Sequence, residues 1–202
     1  MGSRIMHLII ANSIAECLSI EERTPFLLGG IAPDAVSPKD ISHFYTGKVE
    51  DYSRNIDYQG FLHKYRSKVK SHYILGYFTH LIADNLWLKG FYLPWLKNRI
   101  EANKDMLNLY HHDFRLLNGK LLEYYGLTNE VRNMLKFNDA IIDLQEVKSK
   151  DVEDFIPYLL GDMEYDREVI NAELNVFTFN QMVGYIETSV DKGLLNIKSI
   201  QL

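Results

Sequence analysis

The stretch GYFTHLIADNLW, residues 76 to 87, constrains this chain more than any other. Its flanks are apolar almost without a break, which suits a helix buried on most sides. Yet His80 and Asp84 stand four residues apart, so at 3.6 residues per turn they share one face, one above the other. Stepping back by four adds Gly76 and His72 to the same stripe, and Gly76 leaves room beside His80 for something to approach closely. A polar pair on such a helix has two readings. The two side chains satisfy each other inside the core, or an imidazole nitrogen and a carboxylate oxygen are two ligands of a metal such as zinc.

Helical periods run through the rest of the 202 residues, and no internal repeat or low-complexity tract is visible. Residues 4 to 18 read as a first helix with His7 in its opening turn. A second, about 20 to 29, is expected to end in a left-handed turn at Gly29 and Gly30. Pro33 then keeps the helix from resuming and places Asp34 in a loop. Residues 34 to 57 read as a long loop containing His43, and a loop of that length inside a domain is more often functional than idle. A short helix over 57–66 follows. Ser71 is placed to cap the central helix, which is expected to stop near Lys89 and Gly90, with Pro94 in the first turn of the next. Further helices are expected over 105–125 up to Gly126, over a short span capped by Thr128 or Asn129, and over 138–147, 152–164 and 176–192, the last closed by Gly193. Strand signal is confined to patches such as LNVFTF. The expected fold is a single all-α domain over 1–202.

Composition narrows the function classes. Hydrophobic residues make up 47 % and charged residues 24 %, an ordinary soluble balance. The formal net charge of −5 gives no reason to expect a nucleic-acid-binding surface. Cys17 is alone, so no disulfide is expected within the chain, which fits a reducing compartment. The start, MGSRIMHLII, lacks the layout of a signal peptide, and Met6 stands where a myristoylation signal needs Ser or Thr. No apolar run reaches transmembrane length. The expectation is a cytoplasmic protein.

Other residues bear on the His80–Asp84 pair. Asp34 lies in GGIAPDAV, His43 in ISHFY and His7 in SRIMHL. Each has an ordinary structural reading by itself: a turn aspartate, a loop histidine, a core or capping histidine. Together with His80 and Asp84 they supply three imidazoles and two carboxylates, enough for one closed tetrahedral site or two sites sharing a ligand.

In order along the chain, SRIMH, FLLGGIAPDAV, SHF and GYFTHLIADNLW resemble the zinc-dependent phospholipase C family. That family belongs with the S1/P1-type nucleases to one all-α superfamily of phosphodiester hydrolases. The resemblance covers residues 1 to 90 and beyond them only helical character. It implies that Asp34, His43, His80 and Asp84 hold a first zinc ion and that Asp84 bridges to a second, bound also by His7. The family completes that second position with a processed N-terminal tryptophan, which is not found here. Its remaining zinc uses a histidine six residues after the bridging aspartate, where this chain has Gly90. One or two zinc ions are therefore expected, with Asp34 as candidate general base and a small phosphoester or phospholipid-like substrate. A non-catalytic domain of the same fold, keeping a structural metal, is the alternative.

Three further segments carry weaker signals. YHHDF places His111, His112 and Asp113 on a helix, and the His–Asp doublet resembles the HD-type phosphohydrolases; there the ligands would be His80, His112, Asp113 and Asp139. The same residues could instead complete a second metal position, or form a solvated helix face. HKYRSKVKSH, 63 to 72, concentrates Lys64, Arg66, Lys68 and Lys70, as a solvated face or an anion-attracting one. WLKGFYLPW, 87 to 95, reads as core packing or as an apolar wall beside the site. The neighbours of Cys17 suggest burial, with no sign of nucleophilic activation.

Overall fold

A computed structural model of the chain describes residues 2–127, 129–135 and 141–200. Helix α1 spans Arg4–Cys17 and starts at Ser3, whose hydroxyl accepts the N–H of Met6 at 3.3 Å. Ten of its residues, His7 among them, are buried, as its all-round apolar sequence requires. Helix α2, Arg23–Ile31, continues past Gly29 and Gly30, and a 3-10 turn, Ala32–Ala35, carries Pro33 and Asp34. The left-handed ending expected at those glycines is absent: both lie inside the helix. Their purpose is close approach. A Cβ on Gly29 would stand 2.0 Å from the carbonyl oxygen of Tyr73, and one on Gly76 would stand 2.1 Å from that of Phe26. Two bare backbones thus let α2 lie directly on the central helix α4, His72–Trp87. The space beside His80 that Gly76 leaves open is filled by α2.

Between them the 34–57 segment is mostly loop, with a small antiparallel ladder of β1, Tyr45–Thr46, and β2, Asn55–Ile56. Helix α3, Tyr58–Lys64, is capped by Asp57, which accepts the N–H of Gly60 at 2.8 Å. Ser71 occupies the N-cap position of α4, but its side chain makes no capping hydrogen bond. The central helix does not stop at Gly90. Leu88–Leu96 continues it as a π-helix with Pro94 inside, and α5, Lys97–Ala102, follows directly. Proline has no N–H and its ring would strike the carbonyl four residues back in an α-helix; the wider turn removes that clash without breaking the rod.

Helix α6, Met106–Tyr125, ends at Gly126 with φ of 62°, the left-handed cap that glycine takes without strain. Helices α7, Asn129–Met134, α8, Ser149–Asp162, and α9, Phe179–Ile200, complete the fold. Pro157 is accommodated within α8, and Gly193 lies inside α9 rather than closing it. Residues 141–147 are not helical, and LNVFTF forms no strand. Thr128, Asp139 and the rest of 136–140 lie outside the described residues.

The fold is all-α, as expected; among the described residues the only strands are β1 and β2. The buried apolar side chains form one cluster, centred on α1, α2, α4 and α9. No helix among the described residues is long and apolar enough to cross a membrane. Cys17 is exposed, contrary to its apolar neighbours, because it falls on the last turn of α1.

Candidate metal centre

The five residues singled out in the sequence meet in the interior. His7 comes from α1, Asp34 from the 3-10 turn after α2, His43 from the following loop, and His80 and Asp84 from α4. His7, His43, His80 and Asp84 are at most 2 % exposed, and Asp34 is 9 % exposed. Two groups of metal-ligand side chains stand with their donor atoms within 4.8 Å of one another: His7, Asp34 and His80, and His43, His80 and Asp84.

Asp84 is the centre. Its Oδ1 lies 3.2 Å from Nε2 of His7, and its Oδ2 lies 3.1 Å from Nε2 of His43 and 3.7 Å from Nε2 of His80. One carboxylate therefore divides its oxygens between the imidazole of His7 and those of His43 and His80. Asp34 Oδ1 stands 3.4 Å from Nε2 of His43. The His7 and His80 rings stack at 3.7 Å between centroids.

What aims the rings is the backbone. Nδ1 of His80 is 2.8 Å from the carbonyl oxygen of Gly30, a contact that the glycine-mediated approach of α2 to α4 makes possible. Nδ1 of His43 is 3.2 Å from the carbonyl oxygen of Lys39 and 3.0 Å from the hydroxyl of Ser42. A carbonyl can only accept, so each Nδ1 carries a proton and each Nε2 is aimed inward, where it offers a lone pair whenever it is itself unprotonated. Those two Nε2 atoms face each other at 3.2 Å, beside a carboxylate. The loop itself is pinned by Ser42, whose hydroxyl donates to Pro33 O at 2.9 Å, and by Tyr77, whose hydroxyl donates to Ser42 O at 2.6 Å. Phe44, the residue after His43, sits at φ of 52°, and its ring packs edge-on against Phe61 at 5.3 Å. That left-handed turn swings His43 inward, at a conformational cost of about 1 kcal/mol or more for a non-glycine residue.

Such a cluster requires a positive charge in its middle. Burial alone would raise the Asp84 carboxyl, but His7, then His43 and His80, hold it well below the usual carboxylate range. Burial likewise opposes ionisation of Asp34, and the hydrogen bond with His43, followed by the charges of His80 and Lys39, overcomes it and lowers its pKa. Burial pulls the His43 imidazole down, yet its close contacts with the Asp34 and Asp84 carboxylates raise it to about 9. His80 is pushed down to about 4 by burial and by its stacked neighbour His7. A proton on His43 Nε2 answers part of the demand. It leaves both nitrogens of His7 and both oxygens of Asp84 without a well-formed hydrogen bond. A divalent cation would use these same atoms, and the mixed imidazole–carboxylate set suits zinc.

Asp34 is the one member of the five that lines the large cleft, of about 980 Å³. Two cations that sequence reasoning passed over stand on its wall. Lys39 is ion-paired through Nζ with Asp34 Oδ1, and Arg54 is paired with Asp40 while its guanidinium lies 4.0 Å over the ring of Tyr45. Tyr45 in turn stacks on His43 at 5.7 Å. The spacing of Lys39, four residues before His43 and five after Asp34, is the only sequence signal that could have found it. Trp87, Tyr92 and Leu96 form an apolar wall of the same cleft. Trp87 is also core, stacked on Phe91 at 4.7 Å, so both readings of the aromatic segment hold.

The second His–Asp grouping stands apart. Asp113 is fully buried, and its carboxylate accepts the backbone N–H groups of Asn175, Val176 and Phe177 at 2.7 to 3.1 Å. It closes the turn before α9. His111 lines the cleft and His112 is exposed on α6; neither joins a donor group with the five residues. The basic segment 63–72 is solvated, Lys64, Arg66, Lys68 and Lys70 all being exposed, with Lys64 paired to Glu146. No family model matches the chain, and no curated protein or solved structure is significantly similar to it.

Proposed function

We propose that the chain is a zinc-dependent hydrolase of a phosphoester or phosphodiester, with His7, Asp34, His43, His80 and Asp84 as the metal ligands. The observation that carries this reading is the convergence of three imidazole Nε2 atoms, two of them oriented by backbone carbonyls, on a fully buried carboxylate whose two oxygens meet different imidazoles. Asp84 would be a shared ligand, His7 would serve one ion, and Asp34, His43 and His80 would serve the other. Bound there, zinc would supply Lewis acidity towards water and towards a phosphoryl oxygen.

The chain supplies the rest. Asp34 is the carboxylate at the cleft floor and is placed to take a proton from an attacking water; its low pKa makes it a weak base, so position is its main contribution. The Gly30 and Lys39 carbonyls hold the His80 and His43 rings in one tautomer. Trp87, Tyr92 and Leu96 offer an apolar surface to the non-phosphate part of a substrate. A structural, non-catalytic metal is the second reading, favoured by the near-complete burial of four ligands, since structural zinc sites are closed. The HD-type alternative gains no support, because Asp113 already serves the backbone before α9.

Elemental analysis of the purified protein combined with hydrolysis of bis-p-nitrophenyl phosphate tests the proposal. The expected result is bound zinc together with hydrolysis that stops on chelation and returns with zinc. Zinc without hydrolysis would support the structural reading, and protein that takes up no zinc would overturn both.

A further inference from the structure

We infer that Lys39 is a substrate-binding residue, its ammonium taking a phosphoryl oxygen at the mouth of the metal centre. The inference rests on the proposed phosphoester reading and adds a residue outside the ligand set. Four of the five clustered side chains are sealed from the cleft, so whatever reaches the centre from solvent passes Asp34. Lys39 is the cation bonded to that carboxylate. Its side chain is 36 % exposed, against 5 % for Asp34, and both line the same cleft.

Three arginines also line the cleft, and none is bonded to Asp34: Arg54 is held by Asp40 and lies flat on Tyr45, Arg4 is paired with Asp162 at 2.9 Å, and Arg115 is exposed on α6. Lys39 has three N–H donors on a flexible stem, and Asp34 takes one of them. The remaining donors are available to an anion arriving at Asp34, and a charge-assisted hydrogen bond from an ammonium to a phosphoryl oxygen is among the stronger polar contacts. Two ligand carboxylates cancel the charge of a single divalent ion shared between them, so the ion alone would offer an incoming phosphate little net attraction. Lys39 supplies the further positive charge on the side where substrate enters.

The test is calorimetric titration of inorganic phosphate into the zinc-loaded protein, with zinc content measured on each sample. Lys39→Gln retains a donor for Asp34 but removes the charge. It is expected to keep its zinc and to bind phosphate about tenfold more weakly or worse, the loss of one charged contact. Lys39→Arg, which restores the charge, is expected to recover binding to within about threefold of the wild type. Lys64→Gln, an equal charge change on the exposed basic segment, is expected to leave phosphate binding unaltered. Unchanged affinity in Lys39→Gln with zinc retained would overturn the inference. Loss of zinc from that variant would also overturn it, because Lys39 would then act on Asp34 alone, and so would equal weakening in Lys64→Gln. If the wild type takes up no zinc, the metal reading falls separately. Phosphate titration of the metal-free protein then decides Lys39: binding lost in Lys39→Gln supports its role, and binding indifferent to the substitution overturns it.

Discussion

Two regions of this molecule pair histidine with aspartate on a helix, and they came to opposite ends. On α4, His80 and Asp84 are joined by His7, Asp34 and His43 from three other segments. On α6, His111, His112 and Asp113 are adjacent in sequence, yet their side chains diverge: the aspartate into the core, the histidines towards cleft and solvent. Adjacent residues on a helix are turned about 100° apart, and here that turn sends Asp113 inward and His112 to solvent, whereas the i, i+4 pair on α4 shares one face. The teaching is about acceptors. Asp113 meets backbone N–H groups that satisfy it fully, and Asp84 meets imidazole Nε2 atoms instead. The first carboxylate is satisfied by neutral donors, and the second lies among side chains that could hold a metal ion.

The sharpest way to break this contrast is Asp84→Asn. The substitution keeps the shape and removes the anionic oxygens on which three imidazoles converge. Zinc content is expected to fall by more than would follow from losing a single ligand position, and any phosphodiesterase activity should vanish. Asp34→Asn, which touches one side of the cluster, should retain more metal than Asp84→Asn. Equal retention of zinc in Asp84→Asn and the wild type would show that Asp84 is another satisfied core carboxylate, no different in kind from Asp113.

Asp113→Ala should behave oppositely. Three backbone N–H groups lose their acceptor, so stability should drop by about 3 kcal/mol in urea unfolding, while zinc content stays at the wild-type level. Loss of zinc without loss of stability would restore the HD-type assignment.

Chelation comes next in size. A ligand that binds only the folded state at a hundred times its Kd stabilises it by about 2.7 kcal/mol. For a chain of this length, removing it should lower Tm by about 5–10 °C. Proteolysis should rise within 34–57, the segment that carries Asp34 and His43. The Ser42 hydrogen bonds to Pro33 and Tyr77 hold part of this loop without metal, so cleavage should fall preferentially on the exposed stretch beyond Thr46. A chelator that changes neither the melting point nor the cleavage pattern of zinc-loaded protein would exclude this loop as a source of ligands.

The smallest effect belongs to His112→Ala. An exposed side chain with no part in either grouping should change stability by less than about 0.5 kcal/mol, and zinc content not at all. A measurable loss of metal here would mean that α6 contributes to the centre after all.

Much of the fold was legible because it rests on local rules. The all-round apolar run of α1, the helix spanning 72 to 87 and the glycine cap at Gly126 follow from periodicity and from backbone freedom. The misreadings share one cause. Gly29, Gly30 and Gly193 looked like helix ends, and Pro94 like a helix start, since glycine and proline punctuate isolated helices. Here Gly29 and Gly76 serve contact between helices, and Pro94 is absorbed by a π-helical stretch. A residue that allows close packing and one that ends a helix are the same letter in the sequence. Residues 141–147 carry enough apolar side chains to suggest a helix, but they are tied instead by the Leu144–Val147 turn and by Asp143 accepting the N–H of Ser149.

By itself the sequence determined the helical class, the His80–Asp84 stripe and the list of candidate ligands, because helix geometry and residue chemistry act over a few positions. Only the tertiary structure decided that His7, Asp34 and His43 reach that stripe, that the Gly30 and Lys39 carbonyls orient two of the rings, and that Lys39 stands at the mouth of the cleft. Those facts depend on residues far apart in the chain coming within a few ångströms, as His7 and Asp84 do, and Gly30 and His80. The latter distance is set by two glycines letting one helix lie on another, a property of the packed pair that neither segment carries alone.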